Sequence, residues 1–305
     1  MTRRTPGNIA ASVRQRLLNK ARDTKRPFNE ILQYFAMERF LYRLSKSPHA
    51  EKFVLKGALM LAVWRVSFSR STMDIDMLGQ TDNSLESIAA IVKDICRQEV
   101  TPDGLIFDAT SVEGERITED ADYEGARIRF RGSLDTARFT IQFDVGFGDV
   151  VIPSPAMTDY PALLDLPAPR LRTYSKESTV AEKFEAMVKL DILNSRMKDF
   201  FDIWLLSRQF DFDGKTLAEA IAKTFSTRGT EIPSSPVPLS ETFSSDATKA
   251  AQWRGFIRKS RLTDTPQDFR EIVGEIAAFL RPVVENLADG RSFKDYWKAS
   301  GPWKT

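Results

Sequence analysis

Two aspartates stand two residues apart in Met73-Asp74-Ile75-Asp76-Met77. Read as a strand, this run alternates its side chains between faces, so Asp74 and Asp76 share one face while Ile75 and Met77 turn to a core. Two carboxylates side by side on a rigid strand suit a hard divalent cation such as Mg2+, which takes oxygen ligands and keeps positions for substrate phosphates. Upstream, the apolar run from Phe53 ends in Lys56-Gly57-Ala58, and Leu59–Val66 reads as the first turns of a buried helix. Small residues at a helix start let backbone N–H groups approach an anionic phosphate. Lys56 before this cradle and Thr72, at the end of the polar turn Ser67–Thr72, complete the nucleotide-binding candidates here. An acidic strand face that is merely exposed shows the same pattern.

A third acid comes later. Phe139–Gly146 alternates strictly, with Phe139, Ile141, Phe143 and Val145 on one face and Thr140, Gln142, Asp144 and Gly146 on the other. Asp144 is a lone acid near the end of this strand with Gly146 on its far side, where a ligand or backbone could come close, and Asp149 in the following loop competes with it. Farther on, Lys183 lies off the apolar face formed by Val180, Phe184, Met187 and Val188. Lys198, Asp199 and Asp202 then fall close together at i, i+1 and i+4, a spacing that also occurs as an ordinary ion pair on a solvated helix.

The elements that must hold these residues can be read around them. Helices are expected over Asn8–Arg22 and Phe28–Ser45, and Asn83 or Ser84 caps one running to about Glu99. Strands follow over Gly104–Val112, Ala126–Arg131 and Arg138–Val145, with turns at Glu113-Gly114 and Gly132-Ser133. Val150–Tyr174 is proline-rich and reads as a boundary or strap. A long helical stretch capped at Ser178-Thr179, with Glu182 as its capping-box acid, continues through Phe210. Later helices are expected at Ala218–Phe225, Asp246–Lys259, Thr265–Leu280 and a separate piece near Pro282–Leu287. The reading is therefore α+β: a mixed-sheet core domain with N-terminal helices over 1–165 and a mainly helical domain over 166–305.

Composition removes several function classes. The 305 residues carry a net charge of only +2, so nucleic-acid binding requires a local basic patch rather than a global field. Two such clusters exist. One is Arg3, Arg4, Arg14, Arg16, Lys20, Arg22, Lys25 and Arg26; the other is Arg254, Arg258, Lys259 and Arg261 beside Trp253 and Phe256. Each fits either a solvated helix face or an RNA backbone, the second with stacking. One histidine, His49, leaves no support for a Ser-His-Asp triad or a His-rich zinc site. The single Cys96 precludes an internal disulfide and fits a reducing cytoplasm. No apolar run approaches the roughly 20 residues of a membrane span, and no secretory leader is evident.

Gly57-Ala58 followed by Asp74-x-Asp76 resembles the signature of the DNA polymerase β-type nucleotidyltransferases. Ala58 stands where Ser or Gly is usual, and the fifteen residues between Ala58 and Asp74 form a long spacer. The segments VAEKFEAMV and NSRMKDFFDIW more specifically resemble the AbiEii/AbiGii toxin family, which includes the MenT-type toxins. FVLKGALML, DIDMLG, IQFDVGFGD, WRGFIRKSRL and GPW extend the resemblance nearly end to end. It implies a polymerase β-type core and transfer of an NMP from an NTP to an RNA 3′ end, with tRNA the expected acceptor. It also implies Mg2+, in a two-metal site that Mn2+ can replace, and a cognate antitoxin. Gly57 and Ala58 match the family's phosphate anchor, Asp74 and Asp76 its metal ligands, and Lys183 its triphosphate lysine; the third carboxylate with which polymerase β-type sites complete the metal cage falls to Asp144, with Asp149 competing. Asp199 or Asp202 matches its late essential acid, with Asp199 read as nearer the nucleotide and Lys198 beside it. A cytoplasmic enzyme of toxin–antitoxin or phage-defence type follows. The alternatives are a lapsed nucleotide- or RNA-binding module, suggested by Ala58, and an NTP-dependent kinase.

Overall fold

The computed structural model describes residues 6–66, 70–120 and 123–305. Arg3, Arg4 and Ser67–Ser69 of the expected polar turn lie outside them. In chain order the elements are α1 (Pro6–Thr24), α2 (Phe28–Lys46), β1 (Phe53–Lys56), α3 (Met60–Val63), β2 (Asp74–Gly79) and α4 (Leu85–Arg97). Then come β3 (Leu105–Asp120), β4 (Tyr123–Leu134), β5 (Ala137–Phe147), β6 (Ala156–Asp159), β7 (Arg170–Thr173), α5 (Lys176–Leu190) and α6 (Met197–Gln209). The chain ends with β8 (Phe212–Asp213), α7 (Gly214–Thr227), α8 (Glu241–Ser244), α9 (Ala247–Ser260), α10 (Phe269–Ala288), β9 (Tyr296–Trp297) and β10 (Trp303–Lys304). Two compact units form. One comprises Met1–Arg65, Thr72–Gly148 and Ala156–Thr173; the other comprises Val66–Ser71, Asp149–Pro155 and Tyr174–Thr305.

The first unit is built on a seven-stranded sheet of order β3-β4-β5-β2-β1-β7-β6. β2 runs parallel to β5 and β1 parallel to β7, while the other neighbours are antiparallel, so the sheet is mixed and the architecture α+β. The apolar side of β5 explains where the core lies. Phe143 meets Phe40 of α2 and Phe53 of β1, and Phe40 also meets Phe107 and Phe130, all at ring-centroid distances of 4.7–5.7 Å. The expected turn at Glu113-Gly114 does not form. β3 runs through it, Gly114 pairs with Ile128, and a register shift between Asp108 and Glu113 takes up the irregularity. The expected helix after Ala58 shrinks to the single turn α3, preceded by a tight turn over Gly57–Leu59.

The second unit is helical with a small sheet of order β10-β9-β8. The long expected helix is broken in two. α5 ends where Asp191 takes φ 47°, and a short 3-10 turn and Asn194 lead into α6. The cap of α5 is Ser175, whose hydroxyl accepts from the Ser178 N–H, rather than Ser178 or Thr179. Glu182 instead accepts from the Tyr174 hydroxyl. α10 runs straight through Pro282, because Phe279, Leu280, Val283 and Val284 on either side are fully buried and outweigh one lost backbone bond. Among the described residues no helix is long and apolar enough to cross a membrane.

A buried charge network ties α2 to its surroundings in the first unit. Arg43 donates to both Asp103 carboxylate oxygens at 2.7 and 3.0 Å, and Arg39 donates to the Pro167 carbonyl at 2.9 Å. Glu38, fully buried, accepts from Arg39 at 3.2 Å and from the Leu163 N–H at 2.7 Å. Burial pushes the Glu38 carboxyl up to about 7, with the Leu163 N–H and Arg39 only partly opposing it. A folded pKa above the unfolded 4.5 means that the folded state holds a proton the unfolded chain releases. Stability is accordingly greatest below pH 4.5, falls as the pH rises to about 7, and levels off above it. In chemical denaturation the wild type is expected to lose on the order of 3 kcal/mol relative to Glu38→Gln across that window.

Candidate active site

In the first unit the alternation of β2 places its acids as the sequence predicts. Ile75 and Met77 are buried, whereas Asp74 and Asp76 are partly exposed on the opposite face. In the ladder Asp76 lies between Lys56 of β1 and Asp144 of β5, and Asp74 lies beside Gln142. Gly57 closes the other side. Its φ is +71°, and a Cβ built there would stand 2.0 Å from Asp76 Oδ2. The Asp76 carboxylate is thus seated against bare backbone, a position that only glycine leaves open. Ala58 beside it is buried and contributes no hydroxyl. Because α3 is a single turn, what faces an anion here is the turn's backbone rather than a helix dipole.

The strand is held from α2. The Gln33 side-chain amide donates to the carbonyls of Met73 and Thr140 at 3.1 and 3.0 Å, bridging β2 and β5 next to Asp74. The Thr72 N–H donates to the Tyr34 hydroxyl at 3.0 Å, so Thr72 serves first to fix the strand's entry.

Asp144 stands differently. Arg127 of β4 donates to both its oxygens at 2.9 and 2.8 Å, and the Gln142 amide donates to Oδ2 at 3.0 Å. Hydrogen bonding to Asp144 holds the Arg127 guanidinium above its usual pKa, with Asp144, Glu115 and Asp74 adding to it. Among the described residues no three His, Cys, Asp or Glu side chains converge as a metal cage. Asp74 and Asp76 are partly exposed hard carboxylates, with Asp76 against the bare backbone of Gly57, and their chemistry fits a divalent cation. Asp144 fits only by exchanging Arg127 for the metal. Asp149 is elsewhere: it belongs to the second unit and accepts from Arg228.

In the second unit Lys183 on α5 is clasped by both acids of α6. Its ammonium lies 2.9 Å from Asp199 and 2.7 Å from Asp202. Arg70 donates to both oxygens of Asp202 at 2.9 Å, and Arg196 Nε lies 2.7 Å from Asp199 Oδ2, a charge contact outside hydrogen-bonding angles. Phe200 and Phe201, both fully buried, orient α6 so that Asp199 and Asp202 are buried too, while Lys198 is exposed. Burial alone would raise the Asp202 carboxyl, but Arg70 and Lys183 hold it down at about 2. Asp199 is likewise lowered, against burial, by Lys183 and Arg196. Burial disfavours the Lys183 ammonium, yet the two carboxylates raise its pKa above the ordinary lysine value. All three groups are therefore charged at neutral pH. Lys183, Arg70 and Arg196, each partly exposed, thus surround the two carboxylates.

A neighbouring cluster on α5 surrounds Arg228. It donates to Glu185 at 2.8 Å and to Asp149 at 2.9 and 3.0 Å, and lies 3.4 Å from Glu182. Arg228, Arg70, Arg127 and Gln33 are absent from the sequence reading. Each acts through a partner 17 to 132 residues away, which no local spacing signals.

Since Asp199 and Asp202 are both buried and paired, neither can be neutralised without cost. Asp199→Asn and Asp202→Asn are each expected to destabilise by roughly 3 kcal/mol, the usual loss when one partner of a buried pair is removed. Thermal melts are expected to fall by about 5–10 °C, whichever of the two serves the nucleotide.

A family model described as nucleotidyl transferase AbiEii toxin, type IV toxin–antitoxin system, matches residues 39–275. No curated protein matches the chain. Among solved structures, JHP933 from Helicobacter pylori is 16% identical, with 83% of this chain and 90% of that chain covered at a TM-score of 0.46. A second H. pylori protein, assigned as a nucleotidyltransferase, is 16% identical over 83% and 93% at 0.45. The family match spans well over half of the chain, and the chain therefore belongs to the AbiEii nucleotidyltransferase family of type IV toxin–antitoxin systems.

Proposed function

We propose that this nucleotidyltransferase moves an NMP from an NTP to the 3′ end of an RNA, with tRNA as acceptor, and acts as a cytoplasmic toxin opposed by a cognate antitoxin. A role in phage defence belongs to the same reading. The observation that carries it is the paired exposure of Asp74 and Asp76 against the bare backbone of Gly57. These two carboxylates would hold Mg2+, or Mn2+ in its place. Asp144 would join them for a second ion once released by Arg127. When bound, such an ion cancels charge on the phosphates and draws the reacting oxygens together.

The chain's own residues then need only bind and orient. The RNA 3′-hydroxyl oxygen forms a bond to the α-phosphorus, the bond from that phosphorus to the bridging oxygen breaks, and pyrophosphate leaves. The hydroxyl proton passes to a carboxylate of the pair or to water. The turn at Gly57-Ala58, with Lys56, serves the phosphates through backbone donors alone. Lys183 is a fixed ammonium rather than a base, suited as a point charge to the triphosphate. Asp199 and Asp202 keep it charged and in place, and the exposed Lys198 adds a second cation on α6.

The test is incubation with Mg2+, tRNA and NTPs labelled at either the α- or the γ-phosphate. Label from the α-position on RNA is expected. Label from the γ-position alone would establish a kinase, and no label on RNA together with retained NTP binding would establish a lapsed module. Asp74→Asn and Asp76→Asn are each expected to lower transfer by on the order of a thousandfold with little change in melting temperature. Lys183→Ala is expected to lower it comparably while also destabilising the fold.

A further inference from the structure

Trp253 and Phe256 provide no stacking platform on α9. Trp253 is fully buried and donates its indole N–H to the Pro266 carbonyl, and Phe256 lies in ring contact with Phe201 and Trp253. These rings bind α9 to α6, and the Lys249 ammonium, donating to the Asn194 carbonyl at 2.7 Å, fixes the same helix to the turn before α6. The exposed residues of α9 are Ala247, Thr248 and Ala251 in its first half and cations beyond them. Arg254 and Arg258, one turn apart, with Lys259 and with Arg261 at the C-cap, are all exposed.

None of the four has a carboxylate within ion-pairing distance among the described residues. Three exposed arginines elsewhere in this unit are paired, Arg208 with Glu275, Arg270 with Asp268 and Arg291 with Asp289, while exposed Arg281 donates to the Leu239 carbonyl. Compensation of the helix C-terminus accounts for one or two cations in the last turn, but not for a whole face kept clear of acids. Between Arg254 and Arg258, Gly255 leaves the helix surface bare, with nothing within 4 Å of where a Cβ would stand.

We propose that this face of α9 docks the phosphate backbone of an RNA, a proposal that rests on the RNA-acceptor reading above. Three guanidiniums and one ammonium match phosphate oxygens in charge and hydrogen-bond geometry. The bare strip at Gly255 lets a sugar-phosphate chain lie against the helix. With Trp253 buried and the half-buried Phe256 ring packed on Phe201 and Trp253, the contact reads backbone and not base, so it is independent of sequence and strongly dependent on salt. The exposed residues of α9 include no large apolar side chain, so the face has nothing to insert into a lipid surface.

The test measures binding of the full chain to a tRNA transcript ending in CCA over a salt series. The wild type is compared with the triple variant Arg254→Ala, Arg258→Ala, Lys259→Ala. A second triple, Arg16→Ala, Lys20→Ala, Arg22→Ala on α1, makes the same change in net charge. The α9 variant is expected to lower the slope of log affinity against log salt by about 2–3, and to raise the KM for RNA without moving the KM for NTP or the melting temperature. The α1 variant is expected to change the slope by less than about one. The proposal is overturned if the α9 variant keeps the wild-type slope, if the α1 variant loses as much, or if the α9 variant loses binding only to phosphatidylserine vesicles or to polyglutamate. A wild type that binds tRNA through α9 yet transfers no NMP would overturn the transferase reading alone. Transfer with an unchanged RNA KM in the α9 variant would overturn the docking surface alone.

Discussion

The missing side chain at residue 57 is the constraint on which the proposed chemistry of the first unit depends. β1 and β2 are adjacent antiparallel strands, and the turn that follows β1 brings its backbone against the carboxylate of Asp76. A methyl group there would occupy the space of an Asp76 oxygen, and the φ of +71° would strain any L-residue that carried it. Everything nearby serves the same seat. Ile75 and Met77 anchor the strand in the core, Gln33 bridges it to β5, and Tyr34 holds Thr72, two residues before the strand begins. Ile75, Met77 and Gln33 are buried, whereas the face that carries Asp74 and Asp76 is partly exposed.

The second unit solves a different problem. Lys183, proposed to meet the triphosphate, stays charged although largely buried, where burial alone would lower its pKa. Asp199 and Asp202 reverse that effect, and Arg70 and Arg196 in turn keep the two acids ionised. The acids of α6 are therefore supports for a cation. Both carboxyls are held below their usual range, Asp202 at about 2, and so stay ionised at neutral pH. The same logic of buried charge recurs around Arg228, where three carboxylates and one guanidinium bring α5, the C-terminal end of α7 and the Asp149 loop together.

How much of this is legible in the sequence depends on the range of the interaction concerned. Period-two alternation identifies β2 and β5 and the faces of Asp74, Asp76 and Asp144, because strand geometry is local. Ser84 as the cap of α4 and the apolar faces of α2 and α4 are likewise local signals. The ion pairs that decide what the acids do are not. Nothing near Asp144 announces Arg127, and nothing near Asp202 announces Arg70. Tertiary packing also overrides local punctuation: Pro282 reads as a helix end but sits inside α10, and Gly114 reads as a turn but sits inside β3. In the reverse direction, Asp191 breaks what periodicity alone presents as one helix. Trp253 beside a basic run looks like a stacking residue until its burial is seen.

The claim at the centre is that Asp74 and Asp76 form a cation site whose shape is set by Gly57. Mn2+ binding, followed by electron paramagnetic resonance without nucleotide, addresses it most directly. The wild type is expected to bind Mn2+ in competition with Mg2+, and Gly57→Ala to lose affinity by about tenfold or more, as when a residue supporting a metal ligand is changed. Equal Mn2+ affinity in the wild type and in a folded Gly57→Ala variant would contradict it.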